Sequence, residues 1–144
     1  MTVLQLLLTL WMSFPVHNIP NISNQKILIE EKICSPDYEA LKAFYRSTNG
    51  GTWTNKWDTT DCTVTGWYGV TKDDENRVQE LVLDANHLSG SIPDELGNLE
   101  SLTAFTLEYN QISGSLPPGI GRLKNLQLAF LVSNQIGGSI PIQI

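Results

Sequence analysis

Cysteine is nearly absent from this chain: Cys34 and Cys62 are the only pair in 144 residues, and neither has a second cysteine three positions away. That spacing excludes C-x-x-C redox chemistry, and the two histidines, His17 and His87, lie far in sequence from both thiols, so no zinc pattern forms. Positive charge is also scarce. Nine Lys and Arg against fifteen Asp and Glu leave a net charge of −6. Without a basic stripe to displace phosphate counterions, nucleic acid is excluded as a partner. Long apolar runs are missing too. Residues 3–14 are mostly apolar, but a membrane helix needs ~20 such residues, and Pro15 and Pro20 interrupt any extension. Nucleophile elbow, phosphate loop and kinase signature are all lacking. Adjacent acids such as Asp94-Glu95 fall where turns are expected, not in a pocket that would shift their pKa values. The sequence therefore predicts no catalytic residues, no cofactor and no metal site.

What the chain has is repetition. Asn86, Asn110 and Asn134 fall 24 residues apart, as do Gly90, Gly114 and Gly138, and Pro93, Pro117 and Pro141. Leu81, Leu83, Leu88 and Ile92 answer to Phe105, Leu107, Ile112 and Leu116, then to Ala129, Leu131, Ile136 and Ile140. A 20–29-residue period with the order L-x-x-L-x-L-x-x-N-x-L is the leucine-rich-repeat signature. Its short x-L-x-L segments predict strands that stack as a parallel sheet at about 4.8 Å spacing. The Asn offers donors and an acceptor to backbone groups that turn inside the stack. The Gly permits a tight or left-handed backbone, and the Pro stops a strand from continuing. One repeat alone cannot offset the entropy of ordering its backbone, so rungs must share apolar faces and an end must be capped. The expected architecture is α/β: a right-handed leucine-rich-repeat solenoid with a parallel β-sheet on the concave face and an N-terminal helical cap.

Three segments are expected. Residues 1–25 carry no Lys, Arg, Asp or Glu and read as a signal peptide, although a basic start and an Ala-x-Ala-like cleavage site are missing; a disordered leader is the alternative. Residues 26–77 read as the cap. Ser35 as N-cap, Pro36 in the first turn and acids at Asp37 and Glu39 predict a helix, with Tyr38, Leu41, Phe44 and Tyr45 as its apolar stripe and Asn49-Gly50-Gly51 as its stop. Trp53, Trp57 and Trp67 follow. They suit a cover for the solenoid end better than a sugar platform. Cys34 and Cys62 are a disulfide if the chain is secreted, and two inert thiols if it is cytosolic. Residues 70–71 and 78–83 predict a hairpin turning at "KDDEN", whose acids Asp73, Asp74 and Glu75 read as a solvated turn rather than a cation loop. Residues 78–144 hold three repeats, the last stopping at Ile144 in the slot of Leu96 and Ile120. An open rung end there predicts that the chain is a piece of a longer array.

The repeats "VQELVLDANHLSGSIPDELGN", "LESLTAFTLEYNQISGSLPPGIGR" and "LKNLQLAFLVSNQIGGSIPIQI" resemble the plant-type leucine-rich repeat. "CSPDYEALKAFY", then Trp, Cys62 and "WYGVT", is similar to the N-terminal cap of plant-type ectodomains in receptor-like kinases and polygalacturonase-inhibiting proteins. That resemblance covers roughly residues 34–144 and implies a Cys34–Cys62 bridge. A second cap bridge is not implied, because Thr71 stands where a Cys is expected.

Strand alternation turns the residues between the leucines toward the concave surface. They are Glu80, Val82 and Asp84, then Ala104, Thr106 and Glu108, then Leu128, Phe130 and Val132. The first two rows carry acids; the third is wholly apolar, either a contact patch or a surface covered by a further repeat, a loop or an oligomer. The resemblance implies an extracellular, secreted or cell-surface module recognising a protein, peptide or glycan on this face in signalling or defence. Membrane attachment would come only through a segment outside these residues. The alternatives are a secreted inhibitor of a cell-wall hydrolase and the detached ectodomain of a receptor-like kinase. Asn21, in "NIS", is the one glycosylation sequon.

Overall fold

The computed structural model describes residues 34–141. The leader and the Asn21 sequon lie outside them. Helix α1 spans Tyr38–Ser47, two residues later than Ser35 and Pro36 predict: Asp37 occupies the N-cap position and makes no side-chain cap bond. The reason is competition. The Asp37 carboxylate is buried, accepts the Val78 amide at 2.6 Å and pairs with Arg77 at 2.8 Å. Ser35 Oγ instead accepts the Asp37 amide at 3.3 Å, a short turn preceding the helix. The hydrogen bond from Arg77 to Asp37 raises the guanidinium pKa above its ordinary value. Cys34 and Cys62 are joined as a disulfide, with Cα atoms 4.7 Å apart.

The stripe of α1 packs on tryptophan. Leu41 and Phe44 are fully buried, and Phe44 meets Trp53 and Trp57 on one side and Phe105 of the second repeat on the other. Trp57 stacks on Trp67 at 4.7 Å, and all three of these tryptophans are buried. Aromatic pairs at this spacing add to their area burial, so the cluster acts as the cover of the first rung. Trp53 donates its indole N–H to Thr48 and Trp57 donates to Tyr68, while the Trp67 N–H has no acceptor among the described residues.

Two sheets run through the repeats. The longer has the order β1 (Val70–Lys72), β2 (Val78–Val82), β4 (Ala104–Thr106), β6 (Leu128–Phe130). β1 and β2 form the expected antiparallel hairpin, and the others are parallel. Leu81 lies beside Phe105, and Phe105 beside Ala129, so strand register equals the sequence period. The second sheet was not expected. β3 (Ser89–Gly90), β5 (Gln111–Ser115) and β7 (Gln135–Gly137) are also parallel, in the stretch where glycine reads as a tight or left-handed turn, and each ends before the proline of its repeat. Here Ser89 pairs with Gln111 and Ser113 with Gln135, two residues short of the repeat length. An even slip keeps each side chain on its own face, so Leu88 and Ile112 stay buried. Gly90 lies where α1 docks on this sheet. Its φ is +95°, and an added Cβ would collide with the Ser47 carbonyl.

The asparagines form the ladder between the sheets. Asn110 Oδ1 accepts from the amides of Asn86 and Leu88, one repeat back, while its Nδ2 donates to the Leu83, Leu107 and Glu108 carbonyls. Asn134 does the same against Ile112, Leu107, Leu131 and Val132. For Asn86 the preceding rung is the cap: its Oδ1 accepts the Asn55 amide at 2.7 Å and its Nδ2 donates to the Asn55 carbonyl. Behind the sheets, short 3₁₀ turns at Asp94–Asn98 and Pro118–Arg122 approach closely, with the Gly97 Cα facing the Gly119 backbone. Among the described residues, no helix is long and apolar enough to cross a membrane.

Candidate recognition face

The outward side of the longer sheet gathers the predicted surface residues into three lateral rows. Pairing places Glu80 beside Ala104 and Leu128, and Val82 beside Thr106 and Phe130. Two positions past each strand, Asp84 reaches Glu108, its Oδ1 accepting the Glu108 amide at 2.6 Å. These bonds differ from rung to rung because only the first rung carries an Asp at this position, short enough to fold back on the neighbouring backbone.

The rows are uneven in height. Val82 is 39% exposed and Phe130 46%, but Thr106 between them is only 7% exposed. Thr106 was expected to be a surface contact; it is buried instead, and its hydroxyl donates to Asp84 Oδ2 at 3.1 Å. A short, β-branched side chain flanked by larger ones lies at the floor, not the rim. Ala104, small and partly buried, extends that floor. A shallow trough therefore runs along the second rung. Glu80, Val82 and Asp84 form one wall; Leu128, Phe130 and Val132, all exposed, form the other. Among these positions are three carboxylates and no Lys or Arg.

Three other polar groups lie outside this face. Asp73 accepts from the Glu75 and Arg77 amides, a self-contained turn, and among the described residues no cluster of His, Cys, Asp and Glu has metal-holding geometry. Asp94, at the start of the 3₁₀ turn Asp94–Asn98, accepts the Gly119 amide and pairs with Arg122 at 3.0 Å; the Gly119 bond first, then Arg122, lower its pKa. Tyr109 escaped sequence reasoning. It is 67% exposed with φ of +56°, in a slot held by Ala85 and Ser133 in the other rungs. That departure from small residues was the available signal.

The Leucine Rich Repeat family model matches residues 77–99 and 101–123, and the rungs, ladder and register continue beyond them. The chain is a leucine-rich-repeat protein. None of the curated proteins compared with this leucine-rich-repeat chain matches it. Solved structures do. The BIR2 ectodomain from Arabidopsis thaliana is 28% identical, with a TM-score of 0.65, over 77% of this chain and 62% of that one. The BIR3–SERK2 complex from the same plant gives 30% identity and 0.59 over 72% and 59%. The Arabidopsis receptor kinase HAESA, in complex with the peptide hormone IDA and the co-receptor SERK1, gives 30% and 0.63 over 73% and 18%. The chain thus spans less than two thirds of each of these proteins. Its likeness to receptor ectodomains assigns it an extracellular location, with which the Cys34–Cys62 bridge agrees.

Proposed function

We propose that this chain is a recognition module that binds an extracellular peptide or protein on the outward face of the longer sheet, in signalling or defence, and performs no catalysis of its own. The observation that carries the reading is the exposed row Leu128, Phe130 and Val132 facing acids across a trough. Apolar side chains held out by a rigid sheet lose little entropy on binding and mark contact sites. The neighbours add support: HAESA was solved with a peptide hormone and a co-receptor, and BIR3 with SERK2.

The test is capture by the whole chain of a binder selected from a random peptide library. Phe130→Ala is expected to weaken capture by about tenfold, the loss of a central aromatic anchor, while the near-ultraviolet signal of the buried tryptophans stays unchanged. Undiminished capture by this variant would remove the face from consideration.

A further inference from the structure

We propose that Asn49 is a modification site: its side-chain amide is lost spontaneously through a cyclic imide with Gly50, and the isoaspartate that follows unfastens the cap from the second sheet. The fold itself requires this dipeptide. Asn49 follows the C-cap residue of α1 with φ of +55° and ψ of +48°, a left-handed conformation that asparagine tolerates better than most side chains. Gly50 lies against the Tyr45 ring, where an added Cβ would collide. Every other asparagine in the chain is followed by a residue with a side chain, which hinders attack by the next amide. Burial sets Asn49 apart as well. Asn86 and Asn110 are buried in the ladder, whereas Asn49 is exposed and its Nδ2 makes a single bond among the described residues, to Ser89 Oγ at 2.9 Å. Water can replace that bond at little cost. The Gly50 amide, which must attack, has no acceptor among the described residues.

Hydroxide takes the Gly50 amide proton, and the nitrogen attacks Asn49 Cγ. The bond from Cγ to Nδ2 breaks, and Nδ2 leaves as ammonia. Water then opens the cyclic imide at either carbonyl, with no change of oxidation state. Opening at Cγ gives an aspartate with the main chain intact, and the Ser89 hydroxyl can turn to donate to the new carboxylate. Opening at the other carbonyl gives isoaspartate, in which the main chain runs through Cγ and gains a methylene. The carbonyl that receives the Thr52 amide and the Thr52 hydroxyl, each at 2.8 Å, then leaves the main chain as a carboxylate. Two attachments of the cap flank this turn. The Ser47 and Thr48 carbonyls accept the amides of Ser91 and Ser89, and Trp53 donates its indole N–H to the Thr48 carbonyl. Lengthening the chain between them pulls both out of register. The cap therefore carries an irreversible timer set by pH and temperature.

The test incubates the whole chain in mildly alkaline buffer and follows it by peptide mass spectrometry and urea unfolding. Cleavage after Arg46 and Lys56 isolates the peptide 47–56, and its fragments separate Asn49 from Asn55. The mass gain of an amide-to-acid exchange should accumulate at Asn49 at least about tenfold faster than at any other described asparagine, a ratio that a modest difference in barrier supplies. Isoaspartate methyltransferase should label the aged chain and not the fresh one. The aged chain should unfold at lower urea, whereas fresh Asn49→Asp keeps the parent's midpoint. Asn49→Gly, which retains the left-handed turn, should not decline on ageing. No gain at Asn49, or a gain that comes first elsewhere, overturns the site. A gain at Asn49 with the midpoint unmoved overturns the unfastening. A midpoint that falls equally in Asn49→Gly assigns the loss to another position and overturns it too.

Discussion

The first and third rungs share one motif and live in different surroundings. In the first, Leu81, Leu83 and Leu88 are fully buried between the aromatic cap and the second rung. In the third, the equivalent Ala129 is exposed, Leu131 and Ile136 are half-buried, and Ile140 is 70% exposed, because among the described residues a neighbour lies on one side only. The leucine pattern thus specifies where a side chain points, and the adjoining rung determines how much water it loses. Stability should accordingly fall along the solenoid away from the cap, although the sequence does not change character.

The largest effect is expected where that difference is greatest. Leu107→Ala, in the middle rung, should destabilise by about 4 kcal/mol, as fully buried leucines do when a cavity is left. Leu131→Ala should lower stability by only about 1 kcal/mol, since the residue keeps part of its water. Urea unfolding followed by tryptophan fluorescence checks the pair; equal losses would mean the third rung is as well covered as the second. The cap end is sharpened by opening its bridge. Replacing Cys34 and Cys62 together by serine releases a loop of sequence separation 28 and should destabilise by roughly 3–4 kcal/mol in the chain-entropy model. An unchanged midpoint would show that the tryptophan cover holds the first rung without it.

Next comes the ladder. Asn110→Ala strands the Leu83 carbonyl and the Asn86 and Leu88 amides inside the molecule, while the Leu107 carbonyl keeps its bond from Asn134 Nδ2. Each orphaned buried group costs on the order of 1 kcal/mol, so a loss of about 3 kcal/mol is expected. Asn134→Ala should cost about half that, because its surroundings are partly wet. Hydrogen exchange at the Leu88 amide distinguishes the two variants: fast only in Asn110→Ala.

Much of this was legible before any coordinates. The 24-residue period is the strand register itself, so the rows Glu80–Ala104–Leu128 and Val82–Thr106–Phe130 follow from counting. The tryptophans were legible as a cover because large aromatics stand beside a solenoid end that must be capped. What escaped depends on competition between partners at a distance. Asp37 left its capping role for Arg77 and Val78, some forty residues on, and no local rule weighs those alternatives. Thr106 alternates correctly yet is submerged, because height on a sheet face depends on the neighbours' sizes across rungs. The second sheet hid because its register departs from the period by two residues, and the Asn ladder absorbs that slip through bonds to Leu88 and Ile112.

The smallest effect concerns the turns behind the sheets, where the first and second repeats are clamped by Asp94 and Arg122. The folded Asp94 carboxyl has its pKa lowered, chiefly by the Gly119 amide and then by Arg122. A group shifted this way adds stability above its unfolded pKa, about 3.9, and loses that contribution as pH falls through the lower folded value. The clamp is therefore fully present at neutral pH and fades only in acid, below about pH 4. Asp94 is exposed, so the gain is small and screened by salt. Asp94→Asn should lower the thermal midpoint slightly at pH 7, with the difference from the parent chain shrinking toward pH 2 and in high salt. A difference that grows on acidification would reverse the sign of the linkage. It would mean that the Gly97–Gly119 approach, and not the charge, joins the two turns.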